Sequence, residues 1–321
     1  MEKRTCLTLI IGALLLLCSS LFLGPRPAHA ADLKLRVAVL PIANLTPVYV
    51  SKKNGYFQNE GLDVDLTFAG GGAELLPSLI AGKLHIGYTA WVSAILARAR
   101  GYDLMIIAGH ANSPSSPPEG AALLAAKDSS IQTWKDLKGK RIATNNLQSV
   151  NWLTIAVPLR RHGVSIKDVT LTELPFPLMN DALVNGRIDA ITQVEPFTTI
   201  LLSSGKARVI GYPFVETLPR LPIAGWVASG KWISSNPEAV EKFVRAFRRG
   251  VEFMNNNKEE GLKLLIEFSK LNPTIARKVR LDIFDAAINL ELMQKQADLM
   301  FEHGMMDKKL DVSQMTYKTA K

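Results

Sequence analysis

The chain has 321 residues, 47% hydrophobic and 21% charged, enough for two globular cores, which excludes a disordered chain. Its formal net charge of +9 is dispersed, with no basic stripe interleaved with aromatics, so no nucleic acid is expected as a partner. Both cysteines, Cys6 and Cys18, lie near the N-terminus, so the rest of the chain has no disulfide, cysteine nucleophile or thiolate metal site.

At the N-terminus, Lys3 and Arg4 precede an uncharged run over 7–23. Pro25 and Pro27 then break any helix, and Ala28-His29-Ala30 offers small residues where a signal peptidase cuts. This pattern predicts a signal peptide over 1–30, cleaved after Ala30, and a periplasmic protein; an uncleaved anchor is the alternative, because the apolar run is long. Leu17 is bulky where a small residue should precede a lipidated Cys18, which argues against lipid attachment. Losing Lys3, Arg4, Arg26 and Glu2 takes the net charge from +9 to +7. No later stretch is long and apolar enough to span a bilayer.

Residues 35–40 alternate like a strand entering a core. Thr46 is a good N-cap and Pro47 suits a first helical turn, so a helix is expected over 47–53, ended by Asn54-Gly55. A strand over 62–68, a flexible turn at Gly70-Gly71-Gly72 and a helix over 73–81 follow. Gly82 stops that helix before a short buried strand over 84–87, a helix over 92–100 and a strand over 104–109. A Pro/Ser-rich stretch at 113–118 interrupts the pattern. After an apolar run at 121–126, Trp134-Lys135-Asp136-Leu137-Lys138 opens a second unit. Its stretches 139–143, 163–171 and 183–191 repeat 35–39, 61–66 and 79–87. Pro213, Pro219 and Pro222 precede a second apolar run at 223–228. From Asn236-Pro237-Glu238 onward the chain reads as helical, with Val240, Phe243, Val244, Phe247 and Val251 on one face, and Leu262, Leu265 and Ile266 on another. Residues beyond Asp307 look frayed.

Each repeat reads strand, helix, strand, helix, strand, and helical crossovers imply parallel pairing. The expected fold is therefore α/β, with two doubly wound lobes joined by a two-strand hinge. Residues 31–122 and 226–321 form the first lobe, with the C-terminal helices, and 123–225 the second. The two apolar runs are expected to pair as the hinge. Ligands in such sheets sit beyond the carboxyl ends of the strands, so a small solute between the lobes is expected.

Enzyme signatures are missing: there is no G-x-S-x-G elbow, H-E-x-x-H, P-loop or G-x-G-x-x-G. The five histidines show no ligand spacing, and His85 stands where Asp189 stands in the second repeat, so it reads as structural. Neither a metal nor a cofactor is expected. The strand-to-helix turns carry the chemistry, because helix N-termini there present free N–H groups. Gly71 lies in a close-approach turn able to border a ligand. Tyr88-Thr89-Ala90-Trp91, 145–152, 175–177 and 193–197 mix small polar residues with aromatics, suited to uncharged hydrogen bonding and desolvation. Trp91 and Trp152 are either ligand contacts or core residues. Glu195, before Pro196, is either a helix-start partner or a ligand acceptor.

Thr46-Pro47-Val48-Tyr49-Val50-Ser51-Lys52-Lys53-Asn54-Gly55-Tyr56-Phe57 and Glu60-Gly61-Leu62-Asp63-Val64 resemble the opening of a known family. Residues 79–87 and 134–141, Gly186-Arg187-Ile188-Asp189-Ala190, Glu195-Pro196-Phe197 and Asn236-Pro237-Glu238-Ala239-Val240 fit as well. The family is the solute-binding proteins of bacterial ABC importers for nitrate, sulfonates, taurine and thiamine-pyrimidine precursors, with a type II periplasmic binding fold. The resemblance implies a monomeric, non-catalytic carrier that delivers a small-molecule solute to an ABC permease and its ATPase. It implies Asn44, Thr89, Ala90, Gln148, Ser149, Asn151 and Glu195 as polar site residues, and Trp91, Trp152, Phe176, Phe197 and Trp226 as apolar ones. Some oxyanion-binding members set a basic residue in the pocket; these turns show none, which favours a pyrimidine-like heterocycle over a sulfonate, taurine or nitrate. The family also includes a eukaryotic pyrimidine synthase that needs iron and a cysteine-rich segment. A sensor that docks on a membrane receptor is a third reading.

Overall fold

A computed structural model describes residues 32–69, 72–147 and 149–320. The signal peptide expected over 1–30, Gly71 and Gln148 lie outside the described residues. Eleven strands are found among the described residues: β1 (Leu33–Val39), β2 (Leu62–Phe68), β3 (Ile86–Ala90), β4 (Leu104–Asn112), β5 (Ala122–Ala126), β6 (Arg141–Thr144), β7 (Thr170–Glu173), β8 (Ala190–Gln193), β9 (Ala207–Gly211), β10 (Pro222–Ser229) and β11 (Ile283–Phe284). They form two sheets, ordered β11-β4-β10-β3-β1-β2 and β7-β6-β8-β5-β9. In the first, β1 pairs in parallel with β2 and β3, and β10 lies antiparallel between β3 and β4. In the second, β6 pairs in parallel with β7 and β8, and β5 lies antiparallel between β8 and β9. The α/β class with two mixed sheets follows, their parallel pairs coming from the helical crossovers.

The duplication is visible atom by atom. In the first sheet the Arg36 backbone N–H donates to His85 Nδ1 (3.2 Å), and the Arg36 guanidinium reaches His85 Nε2 (2.7 Å) and the Gly82 carbonyl (2.9 Å). In the second, the Arg141 N–H and guanidinium donate to Asp189 (2.8 and 2.9 Å), and the guanidinium donates to the Gly186 carbonyl (3.0 Å). Gly82 and Gly186 have φ of 70° and 67°, the left-handed conformation that ends each preceding helix without a Cβ clash. His85 is thus held as the structural counterpart of Asp189.

The two apolar runs do not pair with each other, contrary to expectation. They look alike because β5 and β10 hold the same antiparallel position, each in its own sheet. What pairs are the segments next to them: the Ser113 N–H donates to the Leu221 carbonyl (2.9 Å) and the Arg220 N–H to the Pro114 carbonyl (3.0 Å). The expected lobe boundaries at 122/123 and 225/226 consequently fall inside β5 and β10.

Helix Pro237–Asn256 lays Val240, Phe243, Val244, Phe247 and Val251 onto the first sheet's core, as the spacing predicts. Phe57 stacks on Phe243 (5.3 Å), and the Ser51 hydroxyl donates to the Ala246 carbonyl (3.1 Å). Two local expectations are corrected. Thr46 is not an N-cap: the 3-10 turn Ala43–Leu45 runs straight into helix Thr46–Lys53, and the Thr46 hydroxyl turns back to the Ala43 carbonyl (2.7 Å). The C-terminus is anchored rather than frayed: Val312 and Met315 are buried, and the Tyr317 N–H donates to the Ile106 carbonyl (2.8 Å). Two apolar residues in a single 3-10 turn are too short a signal to stand out as periodic. No helix among the described residues is long and apolar enough to cross a membrane.

Gly225 sits where β10 passes the Trp91 indole, and a Cβ there would overlap both that ring and the Ala108 carbonyl. Gly225→Ala is expected to destabilise the fold by about 1–3 kcal/mol, the usual cost of overpacking a filled core. A lower urea midpoint with an unchanged slope checks this.

Candidate functional site

The end of β3 and the turns after β1, β6, β7 and β8 meet the crossing segments around one cavity of about 60 Å³. That is room for a few waters. Of the residues singled out in the sequence, Asn44, Ala90, Ser149, Asn151, Phe176 and Glu195 line it together. Thr89, Trp91, Trp152, Phe197 and Trp226 do not.

The reasons are local. Along β3, side chains alternate, so Tyr88 and Ala90 face the cavity and Thr89 the opposite side. Trp91 closes under Gly225 and is buried in the core. Trp226, fully buried, packs edge-on to Phe243 (5.2 Å) and to Tyr88 (5.6 Å), so it stands behind the wall that Tyr88 presents. Asn151 reaches the cavity from the first turn of helix Val150–Arg161, and Trp152, one position on, is rotated away from it. Phe197 begins helix Phe197–Ser203 and offers its carbonyl to Asn180 (3.0 Å).

The polar residues are largely committed to one another. Ser149 caps its helix, accepting the Asn151 N–H (3.3 Å) and donating to the Asn146 carbonyl (2.7 Å). Asn151 Nδ2 donates to Asn145 Oδ1 (2.7 Å). Asn44 Nδ2 donates to Asp282 Oδ2, and its Oδ1 accepts the Asp282 N–H (3.3 Å). The Asn44 carbonyl lies 2.6 Å from His110 Nε2. A carbonyl only accepts, so that nitrogen carries the proton of a neutral ring, and burial pushes the His110 pKa down to about 4.

Glu195 serves as a helix-start partner: its Oε2 accepts the Thr199 N–H (3.2 Å) in the first turn of the following helix, and the residue also lines the cavity. Oε1 accepts the Thr199 hydroxyl (2.7 Å) and the Arg280 N–H (3.0 Å).

Sequence reasoning missed Arg280 and Asp282, which line the cavity from a stretch near β11 with no repeat counterpart and no periodic pattern. The turns hold no basic residue, as the sequence indicates; Arg280, from outside them, borders the cavity with its backbone while the residue as a whole is exposed. Glu119, also missed, is buried in the first crossing segment. Its Oε1 accepts the Phe214 (2.8 Å) and Val215 (3.2 Å) N–H groups of the second. Only its place beside Gly120 and Ala121, at the head of an apolar run, hinted at it. Burial, then the neighbouring carboxylates, pushes Glu119 up to about 8. Burial, and then the Glu195 charge, pushes Asp282 up to about 7, while Asn44 opposes the rise. Burial raises Glu195 too, against the pull of its hydrogen-bond donors. No group of three or more His, Cys, Asp or Glu among the described residues is spaced to hold a metal ion.

Residues 42–261 match the family model described as NMT1/THI5 like. The chain is 26% identical over 255 residues to a putative aliphatic sulfonates-binding protein of Escherichia coli (strain K12), covering 77% of each chain. It is 24% identical over 251 residues to a 4-amino-5-hydroxymethyl-2-methylpyrimidine phosphate synthase of Aspergillus parasiticus, covering 74% of this chain and 70% of the relative. Its fold is that of the alkanesulfonate-binding protein SsuA from Xanthomonas axonopodis pv. citri bound to MOPS, with a TM-score of 0.77, 20% identity, and coverage of 90% of this chain and 99% of that one.

The raised carboxyls carry a stability consequence. The native state holds protons on Glu119 and Asp282 that the unfolded chain has released above its ordinary values of 4.5 and 3.8. Stability is therefore fullest below about pH 4 for these two groups and declines as pH rises toward 8. Glu119→Gln, a mimic of the protonated acid, is expected to be close to neutral at pH 5 and stabilising by on the order of 1 kcal/mol or more at pH 8. Thermal unfolding of both proteins at the two pH values checks the sign.

Proposed function

The chain belongs to the NMT1/THI5-like family, and from that premise we propose that it is the solute-binding component of an ABC import system, capturing a small nitrogen heterocycle between its two sheets. The observation that carries the ligand class is the combination of aromatic walls, Tyr88, Phe176 and Phe214, with the buried acceptor Glu195 at one edge. Flat apolar walls desolvate and stack a ring, and a carboxylate there accepts from ring or amino N–H groups. Relatives named for a pyrimidine are consistent with this, as is a site whose acids are tied to backbone N–H groups and so suited to holding a solute rather than turning it over.

In this reading the lobes divide at the paired segments 113–114 and 220–221, which leaves β10 whole in the first lobe and β5 whole in the second, and these segments flex as the cavity opens and shuts. The protein works as a monomer in the periplasm, with one solute per chain, and hands its cargo to a permease driven by an ATPase. A second reading, a small oxyanion such as an aliphatic sulfonate, is favoured by one observation: Arg280 at the cavity. The relatives named for sulfonates point the same way.

Titration calorimetry with 4-amino-5-hydroxymethyl-2-methylpyrimidine and with aliphatic sulfonates separates the two. Glu195→Gln is expected to weaken the pyrimidine about tenfold or more, since a hydrogen bond to a charged group is worth ~1.5–3 kcal/mol, while sparing or improving a sulfonate. The opposite pattern overturns the heterocycle in favour of the oxyanion.

A further inference from the structure

We propose that Asp282 contacts the ligand directly and, with Glu195, selects a solute bearing a positively charged N–H donor such as an amidinium or a protonated amino-heterocycle. This rests on the cavity being the solute site and goes further by assigning the charge of the solute and the residue that reads it.

Asp282 is 8% exposed and lines the cavity. Its Oδ2 accepts from Asn44 Nδ2, but its buried Oδ1 has no hydrogen-bond partner among the described residues. A buried carboxylate oxygen left unpaired is costly, and native structures rarely keep one without a use for it. Glu195 stands at the same cavity with Oε1 doubly engaged and Oε2 accepting a single N–H, which leaves it capacity for one more donor. An N–H-rich cation between them would give each acid the donor it lacks.

The charge balance points the same way. The groups around Asp282 are the Glu195 and Glu119 carboxyls, the buried Tyr88 phenol, the Asn44 amide and, behind Asn44, the neutral His110 ring. Among the described residues that line the cavity, Arg280 is the one basic residue; it is exposed, and its charge acts on Glu195. Three buried carboxyls thus lie close enough to raise one another, and the one guanidinium that acts on them does so at Glu195 alone. In the empty site protons make up the deficit, since burial pushes Asp282 to about 7 and Glu119 to about 8. An entering cation replaces such a proton, which leaves to solvent. An anion would do the reverse and draw a proton in.

The test is titration calorimetry with benzamidine (an amidinium on a ring), 4-amino-2-methylpyrimidine and methanesulfonate, at pH 6 and pH 8, in buffers of differing ionisation heat. Benzamidine is expected to bind several-fold tighter at pH 8 than at pH 6 and to release protons. Asp282→Asn is expected to weaken it tenfold or more at pH 8 and to cut the proton release. Wild-type proton release stands as the readout even where Asp282→Asn folds poorly. The inference is overturned if benzamidine binds without proton release, if Asp282→Asn changes its affinity by less than twofold, or if no probe binds at millimolar concentration. Binding of the pyrimidine at pH 8, where it is neutral, without benzamidine sinks the inference but spares the heterocycle reading. Binding of methanesulfonate alone sinks both.

Discussion

Glu195 holds together stretches that are far apart in the chain. Its backbone carbonyl accepts the Ala43 N–H (3.0 Å) from the turn after β1, and its carboxyl accepts the Arg280 N–H and both polar groups of Thr199. Gly120, in the first crossing segment, packs against its Cγ and against the Arg280 carbonyl so closely that a Cβ has no room. First sheet, second sheet, crossing segment and C-terminal stretch therefore converge on one residue. Whatever touches this carboxyl acts on the joint between the sheets.

That convergence explains why the acids are tolerated. A carboxylate buried in an apolar core is costly, but Glu119 and Glu195 each satisfy backbone N–H groups that the crossings and helix starts would otherwise leave unmet. The two acids serve as staples between segments, and their raised pKa values record the burial that stapling demands. Asp282 differs from them because one of its oxygens remains unmatched.

The repetitive parts of the fold were legible in the sequence. Alternation over 62–68 matches β2 to the residue, and the stripe from Val240 to Val251 is the buried face of its helix. The correspondence of His85 with Asp189 came from aligning the repeats, and the two arginine clamps realise it. The opacity lay where meaning depends on tertiary partners. Similarity between the two apolar runs was read as pairing, when it reflects equivalent places in separate sheets. Glu119, Arg280 and Asp282 lie in short irregular stretches, where no period marks which side chain turns inward. Aromatic turn residues were overvalued for a related reason: composition offers Trp91 to the ligand, whereas the close pass at Gly225 takes it into the core.

The duplication also accounts for what the cavity is made of. The equivalence of Arg36 with Arg141 and of His85 with Asp189 sets the two repeats in register. Carried forward, that register matches Leu40 with Asn145, Asn44 with Ser149 and Ala90 with Val194. The registers of β10 and β5 match Ile223 with Gly120 and Ala224 with Ala121. All ten line the cavity, so its frame is a pseudo-symmetric shell contributed equally by both sheets, mostly small or apolar, with Asn44, Asn145 and Ser149 largely committed to hydrogen bonds within the protein. A shell of that kind provides shape and little chemical preference. Preference must come from positions where the symmetry fails. Glu195 stands opposite Trp91 in the register, an acid at the cavity against a ring turned into the core. Arg280 and Asp282 come from a stretch outside both repeats. The unpaired residues thus give this cavity its chemical character, while the paired ones frame it from both sheets.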